Sequence, residues 1–137
     1  MHPESEKKTA APKRQHKSKP PRLEVKHLGP IQSANVCFKD LTVIVGPQAT
    51  GKSIFLQTLK LLVDRDQIHD TFKHHGMAFN DKADAFMEGY FGRGLSGAWG
   101  AQSSMNWKGS SVVLTNYAKP TKSKTRHERM FYIPAQR

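Results

Sequence analysis

The sequence lacks the features that mark secreted, disulfide-bonded or membrane-spanning proteins. Cys37 is the single cysteine among 137 residues, so no internal disulfide can form, and this usage suits a reducing compartment. No apolar run approaches the ~20 residues that a membrane-spanning helix needs, and the polar N-terminus has no hydrophobic signal region. We therefore expect a cytoplasmic chain without membrane association.

Acidic residues are scarce as well: 11 Asp and Glu stand against 22 Lys and Arg, which gives a net charge of +11. The excess lies at the two ends, because residues 1–22 and 119–137 each carry +5, whereas residues 23–118 carry only +1. A solvated tail is the commoner explanation of such basic runs. Phosphate contacts to nucleic acid through the flanks remain an open alternative.

Large apolar residues other than Met1 are missing from residues 1–21, which hold four prolines. Such a segment cannot bury enough surface to offset the entropy of ordering it. We expect a disordered basic tail over 1–21 and, over 22–137, at most one α/β domain, which the length makes too short for a complete nucleotide-hydrolase domain.

The most informative stretch fits the phosphate-binding pattern G-x-x-x-x-G-K-[ST], the P-loop. In this pattern glycines let the backbone approach a phosphate, backbone N–H groups point at it, the lysine adds a positive charge and the hydroxyl can ligate Mg²⁺. The residues are Gly46, Pro47, Gln48, Ala49, Thr50, Gly51, Lys52 and Ser53.

The context of this motif has the order that a P-loop requires. Three of the five residues 41–45 (LTVIV) are both apolar and β-branched, which is typical of a buried parallel strand. A helix is predicted from Gly51 to about Asp64, with Phe55 and Leu59 on its apolar face.

Outside the motif, alternation and turn residues predict further elements. These are strands over 23–28 and 34–38, a helix capped by Asn80 or Asp81 and ending near Phe91, a hairpin of 103–107 and 111–115 across Lys108-Gly109, a basic loop over 119–129, and a short buried strand over 130–133.

Three other patterns favour structural explanations over binding sites. Gly92 to Gly97 matches G-x-G-x-x-G, but a helix rather than a strand is predicted before it, so we expect a turn and no dinucleotide site. His69, His74 and His75 lack the partners of a metal site and are predicted to be solvated. The aromatic side chains are expected to pack in the core rather than to stack on bases; these are Tyr90, Phe91, Trp99 and Trp107.

Several stretches together resemble the opening of the RecF/SMC/OLD group of ABC-type, AAA-family ATPases. LEVKHLGPI at 23–31 and FKDLTVIVGP at 38–47 resemble the strands that lead to the P-loop in that group. YFGRGLS at 90–96, the Trp107-Lys108-Gly109 turn and YIPAQR at 132–137 resemble its OLD-like branch. The resemblance covers about 23–137.

This resemblance implies the N-terminal lobe of an ATPase head with a mixed sheet, which binds ATP and Mg²⁺ and works as a homodimer or with a complementary ATPase subunit. It implies a role in DNA transactions or anti-phage defence, and it places Gln136 near a glutamine that touches Mg²⁺. No Walker B strand or signature loop follows the motif, so hydrolysis is expected only when another segment or subunit supplies them. The alternative function is a non-catalytic, nucleotide-gated module that binds nucleic acid.

Overall fold

A computed structural model describes residues 19–79, 82–121, 127–131 and 133. These form a small mixed α/β domain whose helices and strands have the following bounds: β1 Arg22–Leu28, β2 Ile31–Cys37, α1 Lys52–His74, α2 Ala83–Phe91, β3 Trp99–Trp107 and β4 Ser110–Ser111. Two short 3₁₀ helices cover Ser96–Ala98 and Leu114–Ala118.

The sheet has four strands in the order β2-β1-β3-β4, and every neighbouring pair is antiparallel. Val25 of β1 lies opposite Ala34 on one side and Met105 on the other. Leu23, Val25 and Leu28 of β1 are fully buried, as expected for the central strand of a sheet covered on one face. The predicted mixed sheet is therefore wrong for the described residues, because all their ladders are antiparallel.

The sheet contains two tight turns, of which the one between β3 and β4 was predicted from the sequence. β3 and β4 form the predicted hairpin across Lys108 and Gly109, whose φ angles of 52° and 84° fit a type I′ turn. Its second strand is shorter than predicted, because residues 114–118 form a 3₁₀ helix. β1 and β2 join at Gly29-Pro30, where the Gly29 N–H donates to the Ala98 carbonyl at 3.0 Å.

Helix α1 is longer than predicted and bends once. It continues past Asp64 to His74, and Asp64 itself has non-helical angles of φ −124° and ψ 32°. The predicted end at Asp64 therefore corresponds to a bend. The helix buries Phe55, Leu59 and Ile68 in the core.

Helix α2 packs aromatic side chains against α1. Phe86 is fully buried, and its ring centroid lies 5.9 Å from that of Phe72 on α1. The Tyr90 hydroxyl donates to the Gln57 carbonyl at 2.9 Å. The helix was predicted to span these residues, and the predicted caps Asn80 and Asp81 lie outside the described residues.

Two predicted strands do not form in the described part of the chain. Residues 41–45 have no ladder partner there, and Leu41, Val43 and Val45 are 82%, 72% and 84% exposed. Residues 130, 131 and 133 are likewise not in a strand, and Phe131 and Ile133 are exposed. A strand requires a backbone partner as well as a β-prone sequence, and the four antiparallel strands supply none to these segments.

One core cluster joins the elements. Buried side chains from β1, β3, both long helices and the second 3₁₀ helix belong to it, and Ile44 packs against it from the segment before the phosphate-loop motif. The described helices include none long and apolar enough to cross a bilayer. The tail predicted over 1–21 falls mostly on residues 1–18, which lie outside the described residues.

Candidate functional site

The candidate site is the loop over residues 46–51 (the phosphate loop), which connects the extended segment 41–45 to α1. Residues 46–50 are exposed. The Thr50 hydroxyl donates to the Pro47 carbonyl at 2.9 Å, and Ala49 takes a left-handed conformation with φ 61°. The backbone therefore turns back on itself before the helix begins.

Gly51 ends the loop in a conformation and a space that only glycine fits. Its φ of 88° is left-handed, and it is the residue that precedes the first turn of α1. A Cβ atom added here would lie 2.5 Å from Ile31 Cγ1 and 3.2 Å from Pro30 Cγ. The loop is thus pressed against the β1–β2 turn, which fixes where α1 begins.

The Lys52 side chain curls back over the loop that precedes it. Its Nζ donates to the Gly46 carbonyl at 2.8 Å, to the Pro47 carbonyl, and to Thr50 Oγ1 at 3.3 Å. Within the described residues no carboxylate pairs with Lys52. The ammonium group is therefore held by neutral oxygens, and an anion at the same place would gain a full charge interaction.

The first turn of α1 adds further groups that attract an anion. No side chain of the described residues caps the helix, and its first turn contains no acidic residue. The first backbone bond of the helix runs from the Phe55 N–H to the Gly51 carbonyl at 2.9 Å, so the N–H groups of residues 52–54 precede the regular helical ladder. Ser53 is exposed, and its side chain has no hydrogen bond to any described residue. Free N–H groups and the helix dipole together favour negative charge here.

A cavity of about 430 Å³ lies between this loop and β2. Ala49, Thr50 and Lys52 form one wall, and Val36 and Phe55 contribute apolar surface. Its volume is within the range of pockets that hold small ligands. Of the predicted site residues from Gly46 to Ser53, those from Ala49 to Lys52 line this cavity, and the other four are not part of its lining among the described residues.

The other predicted candidates do not join this site. Gln136 lies outside the described residues. The G-x-G-x-x-G stretch follows helix α2 and not a strand, as the sequence predicted. The described residues contain no group of three or more His, Cys, Asp or Glu side chains that could hold a metal ion.

The prediction that His69 is solvated is wrong. Its ring stacks on Phe86 with centroids 4.8 Å apart, and its Nε2 lies 2.8 Å from the Tyr117 carbonyl oxygen. The ring fills the face between α1 and α2, so packing decides its position. His74 and His75 are exposed, as predicted.

The predicted aromatic side chains pack into the core. Phe91 is buried. Tyr90, Trp99 and Trp107 are partly buried against the same cluster.

Sequence reasoning missed a buried polar cluster at the bend of α1. The Asp64 side chain is fully buried and accepts hydrogen bonds from the backbone N–H groups of Arg129 at 2.8 Å and Met130 at 2.7 Å. Lys60 lies 3.2 Å from the same carboxylate and also contacts Glu128 and the Met130 carbonyl. A carboxylate inside the apolar pattern Leu61 to Ile68, four residues after a lysine, was the available signal.

Arg65, the next residue, holds the second 3₁₀ helix against α1. Its guanidinium donates to the Asn116 and Lys119 carbonyls and lies 4.8 Å from the centre of the Tyr117 ring. Burial lowers the pKa of Arg65 from its ordinary value, and Tyr117 and Asp66 partly offset this effect. These contacts give α1, which begins at the phosphate loop, a fixed position in the domain.

No family model, curated protein or solved structure matches this chain. The candidate function therefore depends on the geometry of the loop and on the sequence motif.

Proposed function

We propose that the chain binds ATP with Mg²⁺ through residues 46–53, as the nucleotide-binding lobe of an OLD/RecF-like, P-loop ATPase. The observation that carries the proposal is the position of Lys52. Its ammonium lies against the carbonyls of its own loop, at the start of a helix that no side chain in the described part of the chain caps. A G-x-x-x-x-G-K-S loop with this geometry collects the donors that a triphosphate requires.

The groups present fit Mg²⁺-ATP. The backbone N–H groups from Ala49 to Ser53 are the donors for the phosphates, and Lys52 would move from the loop carbonyls to the phosphate oxygens. The exposed Ser53 hydroxyl is the proposed ligand of the metal ion, which neutralises phosphate charge when it is bound. The tight contact of Gly51 with Ile31 keeps the loop close to the sheet while these groups engage.

Hydrolysis needs, in addition, a carboxylate that holds Mg²⁺ and a group that orients water. In the resemblance stated above, these groups come from another segment or subunit. We therefore propose that the chain binds the nucleotide by itself and hydrolyses it only in a homodimer or with a complementary subunit. The proposed setting, DNA transactions or anti-phage defence, depends on the same resemblance.

The direct test is equilibrium binding of a fluorescent ATP analogue to the full chain and to Lys52→Ala. Loss of a charge-assisted hydrogen bond costs about 1.5–3 kcal/mol, which corresponds to a loss of affinity of about 10- to 150-fold per bond. Lys73→Ala is the matched control, because Lys73 is an exposed lysine in the last turn of the same helix. Undiminished binding by Lys52→Ala, with the thermal midpoint unchanged, would contradict the proposal.

Ser53→Ala tests the metal role separately. We expect this variant to bind the analogue equally well with Mg²⁺ and with a chelator, whereas the unmodified chain binds better with Mg²⁺. A full Mg²⁺ effect in Ser53→Ala would remove Ser53 from the proposed ligand set.

A further inference from the structure

A second concave surface, the basic groove, lies away from the phosphate loop and shares no lining residue with it. It has a volume of about 740 Å³ and lies between residues 19–22, the end of β2 and the β3–β4 turn. Two backbone hydrogen bonds hold its walls together, from the Phe38 N–H to the Pro21 carbonyl at 2.8 Å and from the Lys108 N–H to the Arg22 carbonyl at 3.0 Å. The groove is therefore formed by backbone contacts of the sheet.

Among the described residues, the lining of the basic groove contains three cations and no carboxylate. The cations are Lys19, Arg22 and Lys108. Arg22 lies 3.8 Å from Glu24 and keeps 56% of its side chain exposed. Lys19 and Lys108 have no carboxylate partner among the described residues. Residues 1–18, which are joined to Lys19, add five Lys and Arg against two Glu.

The remaining lining is uncharged and of low polarity, since Pro20, Pro21, Cys37 and Gly109 supply it. A groove that combines cations with apolar surface suits a single nucleic-acid strand, because the phosphates meet the cations and the sugars and bases meet the apolar wall. A duplex is wide and rigid and presents its phosphates on a convex surface, so it matches a concavity of this volume poorly.

The backbone conformation of Lys108 is an independent observation that points to a function for this lysine. Its φ of 52° is left-handed, where a type I′ turn favours Asn, Asp or Gly, so lysine at this position works against the local preference of the chain. Residues that break a local rule are concentrated at functional positions. Replacing Lys108 with Asn, Asp or Gly would favour the turn, but it would also remove a positive charge from the groove.

We propose that the basic groove binds the sugar–phosphate backbone of single-stranded nucleic acid through Lys19, Arg22 and Lys108, without reading its sequence. For single strands the logarithm of the binding constant falls with the logarithm of salt concentration, with a slope of about −0.7 per phosphate neutralised. Three cations predict a slope of about −2, and residues 1–18 can only make it steeper. Loss of one contact corresponds to about 5-fold weaker binding at about 0.1 M salt.

The test measures fluorescence anisotropy of labelled single-stranded 12-mers of mixed sequence, as DNA and as RNA, with the full chain across a salt series. The variants are Lys108→Asn, which suits the turn and removes the charge, and Arg22→Gln. Lys82→Asn is the matched control: Lys82 is exposed, does not line the groove, and precedes α2 at a position where Asn is favoured. All three variants lower the net charge by one.

We expect Lys108→Asn and Arg22→Gln each to weaken binding about 5-fold and to make the salt slope about 0.7 less negative. Lys82→Asn and Lys52→Ala should bind the 12-mers as tightly as the unmodified chain does. Unchanged binding by Lys52→Ala shows that the basic groove is separate from the nucleotide site. Native affinity in both groove variants overturns the proposal. An equal loss in Lys82→Asn, or tighter binding of a 12-base-pair duplex than of either single strand, overturns it as well.

Discussion

Replacing Asp64 with asparagine tests whether the bend of α1 depends on a charged acceptor. The substitution keeps the size of the side chain, so it opens no cavity. Asp64 accepts two backbone N–H groups, one on each oxygen, and Lys60 lies against Oδ2. Asparagine has one acceptor oxygen and one NH₂ group, so one N–H group of Arg129 or Met130 would face another donor.

The magnitude follows from these contacts. A hydrogen bond to a charged group contributes about 1.5–3 kcal/mol, and an unsatisfied buried donor costs about 1–3 kcal/mol. Water can reach part of the cluster, since Arg129 is exposed and Lys60 retains Glu128. We therefore expect Asp64→Asn to lower the free energy of unfolding by about 2–4 kcal/mol. For a domain of this size the midpoint of thermal unfolding should fall by about 8–16 °C.

Two measurements check this prediction. Thermal unfolding gives the global effect, and hydrogen exchange of the Arg129 and Met130 amides reports the local one, because both amides lose their carboxylate acceptor. Asp70→Asn is the control, since Asp70 is an exposed aspartate on the same helix whose side chain has no hydrogen bond to a described residue. If Asp64→Asn unfolds within 2 °C of Asp70→Asn and both amides stay protected, the reasoning about this cluster is refuted.

Two further predictions concern packing. Gly51→Ala should lower the free energy of unfolding by about 2–4 kcal/mol, because strain at positive φ adds to the collision with Ile31. Gly76 is the control, since it has a φ of 72° and open space around it. Gly76→Ala should cost only about 1–2 kcal/mol, and denaturant unfolding measures both variants. Equal costs at the two glycines would show that the close approach to the β1–β2 turn is unimportant. Phe86→Ala should cost about 3–5 kcal/mol, because Phe86 is fully buried between the rings of His69 and Tyr90; a loss below about 1.5 kcal/mol would contradict that packing.

Local signals in the sequence predicted the local structure well. The Lys108-Gly109 turn, the strand over 23–28 and the start of α1 at the phosphate-loop motif are all present. Each of these depends on neighbouring residues: a turn that favours positive φ, an alternating pattern, or a glycine followed by an apolar helical face.

Features that depend on distant residues were not predictable. Residues 41–45 have the composition of a buried strand, but the strand needs a backbone partner that the sequence of this segment does not specify. The partner of Asp64 lies 65 residues away along the chain, at Arg129. His69 illustrates the same limit, because its burial is decided by Phe86 and Tyr117, which other elements bring to it.

For the candidate site, the binding role of residues 46–53 stays a prediction of the motif, and the motif did not predict how these residues are held. Neither the contact of Gly51 with Ile31 nor the inward fold of Lys52 can be read from the residue order. For the basic groove, the sequence predicted the excess charge but not which residues form the site. The sequence indicated excess charge at the flanks, and only the sheet register places Lys19, Arg22 and Lys108 around one concavity.

The exposed side chains of residues 41–45 have a consequence for how copies of this chain behave together. Leu41, Val43 and Val45 project into solvent from an uncharged, β-prone segment that has no strand partner among the described residues and can pair with a second copy of itself. The net charge of +11 keeps copies apart at low ionic strength. At about 1 M salt the screening length falls to about 3 Å, and this protection disappears. Colloidal stability of the chain should therefore decrease as salt increases, and Val43→Lys should restore it without changing the fold.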